Sequence, residues 1–165
     1  MRIKILFLAL AFMFLYATLQ SKEAVEQSEE FLLSAVEFHG HLGPYLVLGL
    51  RAGLYVNQML GKDPMETEAF IKTKITPPES CFADGVQLST GCTFGKRNIS
   101  LEQGEGLQVT FKKNNQKVAL KLKEEIIDEM NSLPSEEKAW EDLARDLYKR
   151  DINEIFEIVQ KTKEK

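Results

Sequence analysis

From Ser28 onward the hydrophobic positions follow first a helical and then an alternating rhythm. In SEEFLLSAVEF, Phe31, Leu32, Ala35 and Val36 recur at helical spacing behind Ser28 and two acids, which predicts an amphipathic helix with Ser28 as its N-cap. The pattern stops at HGH. PYLVLGLRAGLYVNQML then opens on Pro44, suited to a first helical position because the N–H it lacks would be unpaired there. This segment is apolar nearly all round, so a central, buried helix is expected. Gly49 and Gly53 lie four apart on one of its faces, where missing side chains admit another element closely, and Gly61 suits its C-cap. Glu68–Ile75 alternates apolar and polar, the period of a half-buried strand. TPPES breaks it, CFADGVQLS predicts a short helix, and TGCTFGKRN reads as a turn-rich loop. NISLE, LQVTFKK and KVALKLK predict three short strands joined by the turn segments QGEG and NNQ, an antiparallel meander. Helical stripes follow: Ile126, Ile127 and Met130; Trp140, Leu143, Ala144 and Leu147; then Ile152, Ile155, Phe156 and Val159. The fold class expected is α+β: two helices, a strand, a short helix, the three-strand meander and a helical C-terminal tail.

The first residues need a separate reading. MRIK supplies two positive charges, Ile5–Leu19 is an uncharged apolar run, and polar sequence resumes after it, the layout of a signal peptide. The run is shorter than the roughly 20 residues of a comfortable membrane span, and no clean small-x-small cleavage site follows. Residues 1–22 are therefore a signal peptide, an anchor using residues 3–19, or a buried helix, unless translation starts at Met13. Export or anchoring follows from the first two readings and a cytoplasmic location from a later start. Residues 28–123 form the expected core domain and 124–161 a helical extension packed on it.

A net charge of −4 speaks against a general nucleic-acid binder, which needs a clustered basic face. Two cysteines exclude a disulfide-rich scaffold. The chain has two histidines, His39 and His41, and Gly40 between them leaves the backbone free to turn both toward one point. The plainer alternative is that each caps a helix end or hydrogen-bonds in the core. Cys81 is expected in the first turn of the short helix, where the helix dipole favours a thiolate, with Asp84 three residues on and on the same face. Cys92 sits between Gly91 and Gly95. Either both cysteines are small buried hydrophobes, or the four residues supply the ligand set of a tetrahedral zinc site assembled by the fold. Lys96 and Arg97 are solvated surface or a cationic pair for a carboxylate or phosphate. No phosphate loop, dinucleotide fingerprint, serine elbow, His-Glu-x-x-His or haem-attachment motif occurs.

Two segments, FHGHLGPYLVLGLRAG and CFADGVQLSTGCTFGKRN, resemble in order and separation the signatures of the FmdE-like family of archaea and anaerobic bacteria, which takes its name from formylmethanofuran dehydrogenase. The resemblance runs from about Ser28 to Lys123. It implies an α+β core, often dimeric, with a metal near the His-x-His step and the cysteines; by motif, His39, His41, Cys81 and Cys92 match the family's positions. Many members carry a further cysteine where this chain has Gly43, and some end in a four-cysteine zinc ribbon, whereas no cysteine follows Cys92 here. The role implied is a metal-binding accessory to a molybdenum or tungsten enzyme of the formylmethanofuran dehydrogenase type, in complex with it, zinc being the metal expected. Nothing in the chain could hold a pterin or an iron–sulfur cluster, so it is not expected to perform the formyl chemistry itself. Two alternatives stand beside this. One is a small metalloenzyme acting on an anionic small molecule, with Asp84 or a spare cysteine as acid or base and Lys96 and Arg97 binding the anion. The other is a redox module cycling Cys81 and Cys92 between thiols and disulfide.

Overall fold

The computed structural model describes residues 28–163, with side chains to residue 159. The chain divides into two compact units, Met1–Gly40 and His41–Lys165. Of the first, the described part is a helix, α1, over residues 28–39. Leu32 and Ala35 are buried on it, while Leu33 and Phe38 are exposed. It stops where expected: Gly40 takes a positive φ of 100° and its N–H donates to the Val36 carbonyl. The apolar run at 5–19 lies outside the described residues, and among those described no helix is long and apolar enough to cross a membrane.

The second unit is α+β. Helix α2, Pro44–Leu60, is followed by β1, Thr67–Thr73, a 3-10 turn at Glu79–Cys81, and α3, Phe82–Thr90. Strands β2, Ile99–Gln103, β3, Gln108–Lys113, and β4, Gln116–Leu122, come next. Helices α4, Glu124–Asn131, α5, Glu137–Lys149, and α6, Ile152–Ile155, lead into β5, Phe156–Lys163. The sheet order is β2-β1-β3-β4-β5, with β1 and β2 parallel and every other pair antiparallel.

Two expectations change here. The three strands after the TGCTFGKRN loop are not a meander, because β1 lies between β2 and β3. The segment QGEG reverses the chain as its turn chemistry suggests, but it spans two inter-strand spacings, about 10 Å, over the end of β1. The Gly104 N–H pins it there by donating to the Thr73 carbonyl. The second change is at the C-terminus, where the helical stripe Ile152, Ile155, Phe156, Val159 is helix for only four residues. Asp151 caps that helix, accepting from the Asn153 N–H while Glu154 returns a carboxylate to the Asp151 N–H. At Phe156 the backbone becomes extended, and β5 adds a fifth strand beside β4.

The expected buried helix is α2, whose nine buried residues include Leu46, Leu48, Leu50 and Val56. It packs against α3 and α5 and over the sheet, which buries Ala69, Ile71, Val109, Phe111, Val118 and Leu120. Along β1 buried and exposed residues alternate without a break. The α2–α3 contact is made by small residues, as the Gly49/Gly53 spacing suggested. A Cβ at Gly49 would stand 2.2 Å from the Phe82 carbonyl oxygen, and one at Gly53 would overlap the Ser89 hydroxyl. Gly49 meets the start of α3 and Gly53 its end, so the two helices run in the same direction. Phe82 also meets Phe156 edge-on, ring centroids 6.5 Å apart, which ties the start of α3 to the start of β5. Arg150 bridges Glu129 and Asp146 and so links α4 to α5.

Candidate functional site

The TGCTFGKRN loop is built around backbone demands. Helix α3 ends at Gly91, whose φ of 78° is left-handed and whose absent Cβ leaves room for the Pro64 ring. Cys92 follows, fully buried, with its thiol donating to the Thr67 carbonyl at 3.2 Å and its N–H to the Thr90 hydroxyl. Asn98 closes the loop. Its side-chain oxygen accepts from the Thr93 N–H, and its amide nitrogen donates to the carbonyls of Pro64 and Thr67. Asn98 was not singled out from the sequence, yet it holds the loop to the first residues of β1.

Cys81 sits before the first residue of α3 and Cys92 two residues after its last. Nine helical residues at about 1.5 Å each put roughly 13 Å between the two ends. A disulfide needs Cα atoms within about 7 Å, so these thiols cannot bridge, and both are free. Nor can they share one metal ion. Among the described residues no group of three or more His, Cys, Asp or Glu side chains is gathered to hold one. The fold thus sets Cys81 and Cys92 at opposite ends of α3.

The thiolate expected at Cys81 is also corrected. Burial pushes its thiol above the ordinary range, and the Asp84 carboxylate pushes it further, outweighing the backbone N–H that favours the anion. Burial likewise raises Cys92, although the Thr90 hydroxyl and Lys96 oppose it. The two thiols should therefore differ by access. Under native conditions an aromatic disulfide reagent should titrate one thiol, Cys81, with a rate still climbing as pH passes 9.0, the ordinary thiol value. The second should appear only in denaturant. Immediate release of both would show that the Cys92 pocket opens in the native state.

The cations are committed differently. The Lys96 ammonium donates to the Gly91 carbonyl, a C-terminal cap for α3. Arg97, at φ 59°, is exposed. Asp84 accepts from the Gln87 side chain one turn along α3. His41 is exposed just ahead of α2, and a Cβ at Gly43 would come 3.1 Å from its Nε2, so this glycine keeps the space beside the imidazole clear. Because α2 and α3 run in the same direction, His41 and Cys81 lie at one end of the pair and Cys92 at the other.

That same end carries a cleft of about 350 Å³ that no sequence motif signalled. Tyr45 from the first turn of α2 and Glu79 from the 3-10 turn line one side of it. Burial, helped by the Glu79 charge, raises the Tyr45 hydroxyl to about 12. Burial acts most strongly to raise the Glu79 carboxyl, but the hydrogen bond from Lys74, a backbone N–H and the Lys74 charge together outweigh it and leave that carboxyl below its ordinary range.

Two parallel helices packed through glycine and laid on a mixed five-stranded sheet define a small α+β module. Residues 38–165 match the family described as FmdE, molybdenum formylmethanofuran dehydrogenase operon, and the chain belongs to that family. Among solved structures it is similar to an FmdE-like protein of the tungsten formylmethanofuran dehydrogenase type from Syntrophus aciditrophicus, with 23% identity, a TM-score of 0.58, and coverage of 84% of this chain and 73% of that one. At that identity the likeness concerns the fold. A probable S-adenosyl-L-methionine-binding protein of Archaeoglobus fulgidus is 38% identical over 82 residues, 47% of this chain. This chain spans only 22% of that relative's length.

Proposed function

We propose that this protein is an accessory module of a formylmethanofuran dehydrogenase-type enzyme and that its metal-binding element is the His39–Gly40–His41 step, completed by Cys81 and not by Cys92. The observation that carries the accessory role is the family match, which begins at Phe38, beside the histidine pair, and continues through β5. Cys81 joins the metal proposal because it lies at the His41 end of the helix pair. Cys92 leaves it because its thiol is fully buried and bonded to the Thr67 carbonyl. His39 precedes His41 by two residues, so the chain itself keeps their backbones close. Zinc is the metal expected for imidazole and thiolate donors, and it would supply a structural or exchangeable link to the partner enzyme.

Elemental analysis of the anaerobically purified full chain tests this. About one equivalent of zinc is expected in the native protein and in Cys92→Ser, a reduced content in Cys81→Ser, and none in His39→Ala/His41→Ala. Absence of metal from the native protein, or uptake unchanged by loss of both histidines, would overturn the metal proposal. Failure to co-purify with the molybdenum or tungsten enzyme would separately overturn the accessory role.

A further inference from the structure

The cleft beside Tyr45 is bounded by the end of β1, the turn after β2, and α4. Thr73 ends the inward-facing row of β1 and is fully buried, and its hydroxyl oxygen has no hydrogen-bond partner among the described residues. A buried hydroxyl left without a partner is destabilising, so its persistence at the wall of a cleft points to a ligand that completes it. The Thr73 carbonyl, by contrast, is used by the Gly104 N–H, which carries Glu105 and Gly106 across the end of the strand and makes them the opposite wall.

The charges lining the cleft are one-sided. Among the described residues Lys74 is the single cation there, and its ammonium is bonded to Glu79 at 2.7 Å. Glu105 and Glu124 remain, the latter meeting Lys121 only at 3.7 Å on the surface. The hydroxyls of Thr73 and Tyr45 each add an acceptor oxygen and one O–H donor. Between these polar groups, Leu107, Leu122 and Ile127 supply an apolar floor. Leu107 and Leu122 are locked together by the Leu122 N–H donating to the Leu107 carbonyl. A surface whose uncommitted charges are carboxylates and whose middle is apolar suits a molecule with protonated nitrogen at its ends and methylenes between.

We infer that this cleft is a binding site for a small organic cation of the aliphatic amine class, its ammonium group received by Thr73, Tyr45 and Glu105 and its carbon chain lying on Leu107, Leu122 and Ile127. The site uses neither histidine nor cysteine, so it stands or falls apart from the metal proposal.

Three four-carbon probes separate the alternatives: putrescine, 1,4-butanediol and succinate, which carry amines, hydroxyls and carboxylates on the same chain. They would be titrated into the isotope-labelled full chain and followed by amide resonances. Putrescine should shift Thr73, Gly106 and Leu107 saturably, while the diol and the diacid should not. Thr73→Val, which keeps shape and removes the hydroxyl, should weaken putrescine about fivefold without lowering the thermal midpoint. Glu105→Gln, on an exposed turn with no part in the core, should weaken it about tenfold. No saturable shift with putrescine would overturn the inference, as would an equal response to succinate or affinity unchanged in both variants.

Discussion

Gly85→Ala should remove a large share of the protein's stability. A Cβ at this position would stand 2.1 Å from the Leu46 carbonyl oxygen and 2.6 Å from the Leu50 backbone nitrogen. Both are main-chain atoms inside α2, so no side chain can swing aside. Alanine is the better helix former by up to about 1 kcal/mol, but that gain is outweighed once α2 and α3 are forced apart. The separation would disturb the contact between α3 and α2, which buries nine of its residues, and a cost of about 3 kcal/mol or more is expected. With typical stabilities of about 5–15 kcal/mol, that is a large share of the whole. Urea titration followed by circular dichroism measures it. Gly95→Ala is the control: its nearest neighbour would be the Thr93 hydroxyl at 3.9 Å, and a change within about 0.5 kcal/mol is expected. Equal stability of the two variants would mean that the helix pair does not pack through glycine.

Asn98→Asp, a change of one atom in outline, should cost nearly as much. The amide orientation follows from its surroundings, with two carbonyl oxygens on one side and an N–H on the other. Aspartate keeps the acceptor for Thr93 but loses both donors and sets a carboxylate against the Pro64 and Thr67 carbonyls. Two lost hydrogen bonds plus the repulsion are worth about 3 kcal/mol. The sign of the pH dependence is diagnostic. Facing two carbonyls, the new carboxyl would have its folded-state pKa raised above the unfolded value of about 3.9, so the folded state holds the proton more tightly. The variant should be least impaired below about pH 4 and lose stability as pH rises through the folded pKa. Chemical denaturation at pH 3.5 and pH 7 reads both numbers, and a deficit that does not grow with pH would show that the bonds to Pro64 and Thr67 contribute little.

The helices and strands up to β4 were legible in the local pattern because their buried faces repeat within a few residues. The α2 stripe, the alternation at β1 and the Gly49/Gly53 spacing each report a contact that the segment must make whatever its partner is. The strand order was not legible, since the turn after β2 has hairpin chemistry and nothing local reveals that β1 occupies the space between. Residues 152–159 misled for a related reason. Ile152, Ile155, Phe156 and Val159 fit a helical stripe, FEIVQKTK alternates only over its first three residues, and its partner β4 begins 40 residues earlier at Gln116. Among the candidate site residues, the state of the Cys81 thiol was misjudged. A thiol at a helix start reads as activated until the depth of its burial and the Asp84 charge are known. Asn98 was hidden because asparagine in a loop is ordinary, and Thr73 because its missing partner is visible only in three dimensions.

The place of β5 has a consequence for synthesis. Until residue 163 has been made, β4 is an open edge with a row of unpaired amides and carbonyls, although α2, α3 and the first four strands already exist. A nascent chain of this protein would thus pass through a stage in which most of its core is formed and the place that β5 takes beside β4 is still open to a strand from another molecule. β5 takes that place only after three helices have been laid down between it and β4, and it then becomes the outer strand itself. Yield in the cell should then depend on how quickly residues 123–163 follow β4, and rare codons placed there would be more damaging than the same codons placed in α2.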